Sequence, residues 1–218
     1  LLSLFQGFRG ADEVVALSAD RPVDSPHDYH VPLLSLPGIL GTRLETIPSG
    51  RAYLSADLRK EAFWDERLGE GGMRVGIVWA GSAWHAKDPG RSCGLAPFRT
   101  LSRVPGLRLI GLQKGPAAAA LNSFAPPGVV NFGGELNDFS DTAALVSALD
   151  LVISVDTAVT HLAGAMGKPV WVLLPFLCDW RWLTEREDSP WYPSMRLFRQ
   201  GRGEGWQAVF DRVAAELQ

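Results

Sequence analysis

The chain has 218 residues, 46% of them hydrophobic and 21% charged, enough apolar material for one full core or one and a half domains. A formal net charge of −3 leaves no basic stripe above background and argues against a nucleic-acid partner. No apolar run reaches the roughly 18 residues of a membrane span, no signal peptide precedes the first strand, and the two cysteines, Cys93 and Cys178, match no metal spacing and read as free cytosolic thiols rather than a disulfide.

In chain order, residues 1–42 read as the tail of an α/β unit that opens in mid-helix, as a fragment would. Leu1, Leu2, Leu4, Phe5 and Phe8 fit the end of an amphipathic helix, Glu13 to Leu17 a strand, and Tyr29 to Leu36 a second strand. From Glu45 to Gly72 the punctuation by Pro48-Ser49-Gly50 and Glu70-Gly71-Gly72 is that of a linker carrying one helix, roughly Asp57 to Leu68. After Met73 the alternation is regular. Strands are expected at Val75 to Trp79, Leu107 to Gln113, Val129 to Phe132, Leu151 to Val155, Val170 to Leu174 and Met195 to Phe198. Helices are expected at Ala96 to Arg103, Ala117 to Phe124, Thr142 to Leu149, Val159 to Met166 and Trp206 to Leu217. This pattern predicts an α/β fold with a complete, doubly wound parallel sheet. The expected divisions are a partial N-terminal α/β domain (1–48), a linker (49–72), the complete domain (73–203) and a C-terminal helix (204–218).

The stretch from Leu151 to Pro175, LVISVDTAVTHLAGAMGKPVWVLLP, organises the rest. Two apolar runs without alternation suit strands covered on both faces, Thr157 stands where a helix N-cap belongs, and Gly167-Lys168-Pro169 is a stop. A helix opening at the carboxyl end of a parallel strand presents free N–H groups to the crevice where such sheets bind ligands, and phosphates belong there. His161 in its first turn is either a core histidine or a donor to phosphate or a sugar hydroxyl.

Other strand exits face the same crevice. Gly81 and Ser82 form a small-residue turn followed by a loop in which Lys87 or Arg91 could meet a diphosphate; the alternative is an exposed basic loop. Gln113 and Lys114 offer contacts to a base, ribose or phosphate, or merely a polar strand exit. Ser140 or Asp141 is expected to cap the helix that follows, whereas Glu135 could hold a ribose diol. The segment Pro175 to Pro193 concentrates Trp180, Trp182, Trp191 and Tyr192. These rings either tie the loop to the sheet or stack on a sugar or base, with Asp179, Trp180 and Arg181 nearest the strand exit. No nucleophile triad or metal cluster is visible in the sequence, and the converging donors suit a nucleotide diphosphate conjugate.

The runs ISVDTAVTHLAGAMGKPVWVLLP, DFSDTAALVSALDLV and VGIVWAGSAWHAKDPGRS together resemble the heptosyltransferase-like glycosyltransferases of family 9. DWRWL and DSPWYPSMRLFRQ are similar to the branch in which this domain follows tetratricopeptide repeats. The resemblance implies a GT-B architecture of two Rossmann-like domains and an inverting, metal-independent transfer from a nucleoside-diphosphate sugar. It implies no cofactor, an unknown glycan, lipid or protein acceptor, and a cytoplasmic location, at most peripheral at the inner membrane. By position, Asp156, Thr157, Ala158 and Val159 would lie at the donor diphosphate, Ser82 and Arg91 at the phosphates from the opposite loop, and Gln113 and Glu135 nearer the nucleoside. The chain reads Asp156-Thr157-Ala158 where heptosyltransferases read Asp-Thr-Gly, which weighs against heptose as the sugar. The family's catalytic acid sits in an N-terminal segment absent here, so no residue inherits that role and the chain alone is expected to turn over little. A sugar-nucleotide epimerase on the same fold and a non-catalytic protein-binding module are the rival readings.

Overall fold

A computed structural model describes residues 1–6, 8, 10–16, 26–82, 88–123 and 126–218. The chain begins with a single turn, α1 (Leu2–Phe5). A 3-10 turn at Leu33–Ser35 then runs into α2 (Leu36–Ile39), and a second 3-10 turn covers Leu44–Thr46. The two strands expected here do not form. Residues 13–16 and 29–32 have no regular structure, and Leu17 lies outside the described residues. A strand needs a neighbour for its backbone N–H and C=O groups, and no described strand precedes Met73. Pro32 and Pro37 each remove a donor, and Pro37 at the start of α2 favours the helical turn instead. Leu33 and Leu34 consequently stay 81% and 91% exposed.

Helix α3 (Leu58–Leu68) forms where expected. Asp57 caps it by accepting from the N–H groups of Arg59 and Lys60, and Gly69 at φ 63° ends it. Its stretch is not a free linker. Trp64 and Leu68 are buried in the core of the following domain, and Lys60 reaches Asp141 at 2.6 Å. Upstream of α3, the N–H groups of Tyr53 and Leu54 both donate to the Ala165 carbonyl, at 2.9 and 3.1 Å.

The remaining elements are β1 (Met73–Val78), α4 (Asp88–Arg91), α5 (Phe98–Leu101), β2 (Leu107–Gly111), α6 (Ala120–Ser123), β3 (Val130–Asn131), α7 (Phe139–Ser147), β4 (Leu151–Val155), α8 (Ala158–Ala165), β5 (Val170–Leu174), β6 (Met195–Arg199) and α9 (Trp206–Glu216). The six strands form one sheet in the order β3-β2-β1-β4-β5-β6, every pair parallel. Strands β4 and β5 match their expected bounds, whereas β3 is cut to two residues at the sheet edge. The helix expected at Ala96 to Arg103 is one turn. That expected at Ala117 to Phe124 is a 3-10 turn, Pro116–Ala119, continued by α6, with Phe124 outside the described residues.

The unbroken apolar runs are explained by two cores. Val152, Val170, Val172 and Leu174 point to the layer shared with α3, α7 and α8. Leu151, Ile153, Val155 and Leu173 point to the layer under α5 and α9. Successive residues alternate faces, so a strand covered on both sides must be apolar throughout. Helix α9 buries Val209, Phe210 and Val213 completely in the layer that covers one face of the sheet. The capping of α7 differs from expectation. Asp138, not Ser140 or Asp141, accepts from the N–H groups of Ser140 and Asp141, while Asp141 is held by Lys60.

Candidate functional site

The strand order reverses between β1 and β4, which opens a crevice at their carboxyl ends, the position where open α/β sheets take ligands. Helix α8 begins in that crevice. Thr157 occupies its N-cap position but makes no capping bond; its hydroxyl lies 3.1 Å from that of Ser154. Thr160, fully buried, donates to the Ser154 hydroxyl and the Val155 carbonyl, which fixes the turn from strand to helix. Among the described residues no side chain caps the first N–H groups of α8, and they carry the positive end of the helix dipole. The helix stops in a Schellman arrangement, with Lys168 N–H to Ala163 and Gly167 N–H to Gly164 at φ 71°.

Asp156 and His161 stand together on this turn, with carboxylate and Nε2 3.5 Å apart. The imidazole is stacked on Trp182 at 5.4 Å and 17° and is flanked by Tyr192 at 5.8 Å. Tyr192 reaches α8 only because Gly164 lacks a side chain: a Cβ there would fall 2.7 Å from the Tyr192 ring and 2.3 Å from Met195. Burial pushes the Asp156 carboxyl upward, but His161, the Trp182 indole and Arg91 together outweigh it and hold Asp156 below the usual carboxylate range. The Trp182 indole N–H is buried with no hydrogen-bond partner among the described residues.

Two hollows meet over the start of α8. The smaller, about 390 Å³, is bounded by Asp156, His161, Cys178, Asp179 and Arg181. The larger, about 670 Å³ and mainly apolar, runs between the exits of β1 and β2, past Gly81, Ser82, Gln113 and Lys114, to Asn137, Phe139 and Val159. Arg91, Thr157 and Ala158 border both. Most of the residues singled out in the sequence thus converge on one region.

Several do so in roles other than the expected ones. Gln113 is only 4% exposed. Its carboxamide accepts from the N–H groups of Trp79 and Ala80 and donates to the carbonyls of Ala80 and Lys114, so it ties two strand exits together and is spent on backbone. The Lys114 ammonium donates to the Leu136 carbonyl. Glu135 does not face the crevice: it pairs with Arg67 at 2.5 Å beside a separate hollow lined by Lys60, Trp64 and Asp141. Trp180 is 66% exposed and lines neither hollow; it carries the Arg181 guanidinium over its ring at 5.2 Å. Lys87 lies outside the described residues. Two rings of the aromatic loop tie it to the domain: Trp182 is fully buried and Trp191 donates to the Arg181 carbonyl at 2.9 Å.

Sequence reasoning missed Cys178, Asn137 and Phe139 as wall residues. Cys178 follows the β5 exit directly, and that position was the available signal; Asn137 and Phe139 enter only through the packing of α7. Both cysteines are free. Among the described residues no group of three or more His, Cys, Asp or Glu could hold a metal ion, and no helix is long and apolar enough to cross a membrane.

Comparison with known proteins points the same way. Residues 117–173 match the family model of glycosyltransferase family 9 (heptosyltransferase). That segment contains β4, α8 and nearly all of β5, the strand-helix-strand unit on which the crevice is built. Over 186 residues the chain is 34% identical to Protein FlbA of Caulobacter vibrioides, covering 80% of this chain and 30% of that protein. The fold is similar to ADP-heptose lps heptosyltransferase II of E. coli, with a TM-score of 0.53 at 16% identity over 75% of this chain and 53% of that one. It is also similar to a family 9 glycosyl transferase from Veillonella parvula, with a TM-score of 0.51 at 14% identity over 75% and 52%. The chain thus spans 30% of the curated relative and about half of each solved structure. At these identities the structural likeness establishes the shared α/β architecture.

Proposed function

We propose that this chain is the donor-binding part of a glycosyltransferase, and that the crevice between β1 and β4 holds a nucleoside-diphosphate sugar. The observation that carries this reading is the uncapped start of α8 at the junction of two hollows of unlike character. A diphosphate over Thr157 and Ala158 would meet the helix N–H groups and the Arg91 guanidinium, both suited to an anion. The larger, mainly apolar hollow suits the nucleoside, and the smaller one, with Asp156, His161, Asp179 and Arg181 in its walls, suits the sugar. In transfer with inversion, an acceptor hydroxyl attacks the anomeric carbon from the face opposite the leaving diphosphate. The N–H groups and Arg91 would stabilise the charge that develops on that leaving group, a contribution that is fixed before the reaction and needs no reorganisation. The base that takes the acceptor's proton is not assigned to any residue of this chain.

The test is titration with ADP, UDP and GDP while following backbone amide shifts. Perturbation centred on Thr157 to His161 is expected for at least one nucleotide. Shifts from none of them at these amides would remove the donor site from the protein.

A further inference from the structure

Tyr192 reaches the crevice without bordering it. It lines neither of the two hollows over the start of α8. Instead it bounds a separate one of about 330 Å³ beside the other end of that helix, together with Tyr53. Its contact with the crevice runs through His161, whose imidazole lies 5.8 Å from the Tyr192 ring and itself borders the smaller hollow.

The chain fixes this ring from several sides. Ser189, a buried residue, accepts through its hydroxyl from the N–H groups of Trp191 and Tyr192 at 3.2 and 3.3 Å, and the Tyr192 carbonyl accepts from the Met195 N–H at 3.0 Å. Burial above all, then the charge and hydroxyl of Tyr53, push the Tyr192 phenol above its usual range, with Arg181 opposing. The phenol therefore stays neutral beside the imidazole. Tyr53 is in turn tied to α8 by its N–H to the Ala165 carbonyl. Glycine inside a helix costs stability relative to alanine, yet a Cβ at Gly164 would strike the Tyr192 ring and Met195. Helix α8 gives up propensity where the ring passes.

His161 is a side chain that needs such a support. One third exposed at the rim of a crevice, an imidazole has several rotamers open to it. The one observed sets Nε2 3.5 Å from the Asp156 carboxylate and stacks the ring on Trp182. A neighbouring ring that restricts the alternatives lowers the entropy lost when a ligand arrives. We infer that Tyr192 is a positioning residue of the donor site: its ring holds the His161 imidazole in the orientation presented to the smaller hollow, and Tyr53 and Gly164 fix that ring. This rests on the donor-site reading above and adds to it a residue that acts without touching the ligand.

The experiment is calorimetric titration with ADP, UDP, GDP, ADP-glucose, UDP-glucose and GDP-mannose. The tightest binder of the wild type is then carried to Tyr192→Leu, Tyr192→Phe, His161→Ala and the double variant of Tyr192→Leu with His161→Ala. Thermal melts identify folded protein, and Tyr192→Met takes the place of Tyr192→Leu throughout if the latter is unfolded at the assay temperature. Tyr192→Leu should weaken binding about fivefold, the scale of one aromatic contact, and Tyr192→Phe, which keeps the ring, less than about twofold. In the His161→Ala background the Tyr192→Leu change should move affinity less than about twofold, because a residue that acts through His161 then has nothing to position. Wild-type affinity in Tyr192→Leu, equal losses for Leu and Phe, or a loss that persists undiminished without His161 overturns the inference and leaves the donor site standing. If no compound binds the wild type, the donor site falls and this inference falls with it.

Discussion

Two helices, α7 and α8, point their N-termini toward the same crevice, and the chain finishes them in opposite ways. Helix α7 is closed by its own residues: Asp138 accepts from two of its N–H groups, and Lys60 braces the following turn through Asp141. Helix α8 is left open, because the Thr157 hydroxyl turns to Ser154 instead of its own helix. A capped helix end is a satisfied structural joint. An uncapped one beside Arg91 and two hollows suits an anion, and in the function proposed above it is this end that receives the ligand.

The largest effect should come from erasing that contrast. Thr157→Asp would supply α8 with the cap that α7 has, and place a carboxylate where the diphosphate belongs. Nucleoside-diphosphate affinity should fall on the order of 100-fold, as like charges brought together cost several kcal/mol. Denaturant unfolding should meanwhile show the protein unchanged or stabilised by about 0.5–1 kcal/mol. A variant that binds as well as the wild type would show that α8 does not hold the anion. Arg91→Ala leaves the open end and removes the neighbouring cation, and calorimetry should record a loss of about tenfold, with equal affinity refuting the role given to Arg91.

Breaking the other member of the comparison should affect stability. Asp138→Ala opens α7 and should cost about 1 kcal/mol, read as a lower urea midpoint at constant slope. The smallest effect concerns the walls. Burial pushes the Cys93 thiol up and out of reach, whereas half-buried Cys178 borders the smaller hollow. N-ethylmaleimide should therefore label Cys178 alone, and a saturating nucleotide sugar should slow that labelling several-fold. Equal labelling of both thiols, or none slowed by ligand, would contradict the placement.

The legible parts of the molecule are those ruled by local pattern. Strands β4 and β5 could be placed to the residue because a strand covered on both faces is apolar at every position and is bounded by Asp156, Gly167 and Pro175. Helix α3 could be placed because Asp57 and Gly69 mark its ends. Where pattern misled, a partner was missing or a side chain had two possible employers. The apolar run from Tyr29 to Leu36 has the composition of a strand but no described neighbour to pair with, so it forms turns. Gln113 and Glu135 carry groups fit for a nucleoside. Packing spends Gln113 on the backbone of β1, and the docking of α3 brings Arg67 to Glu135.

By itself the sequence determined the alternation of strand and helix after Met73 and the strand-helix-strand unit around Asp156 and Thr157. Both follow from short-range periodicity, caps and breakers. Tertiary structure decided the rest: which helix end stays open, that Asp156, His161, Trp182 and Tyr192 form one cluster, and that Asp179 and Arg181 wall the smaller hollow while Trp180 stands outside it. Those outcomes depend on which groups reach one another across the sheet. A hydrogen-bonding side chain can be spent once, and only the packed chain shows where.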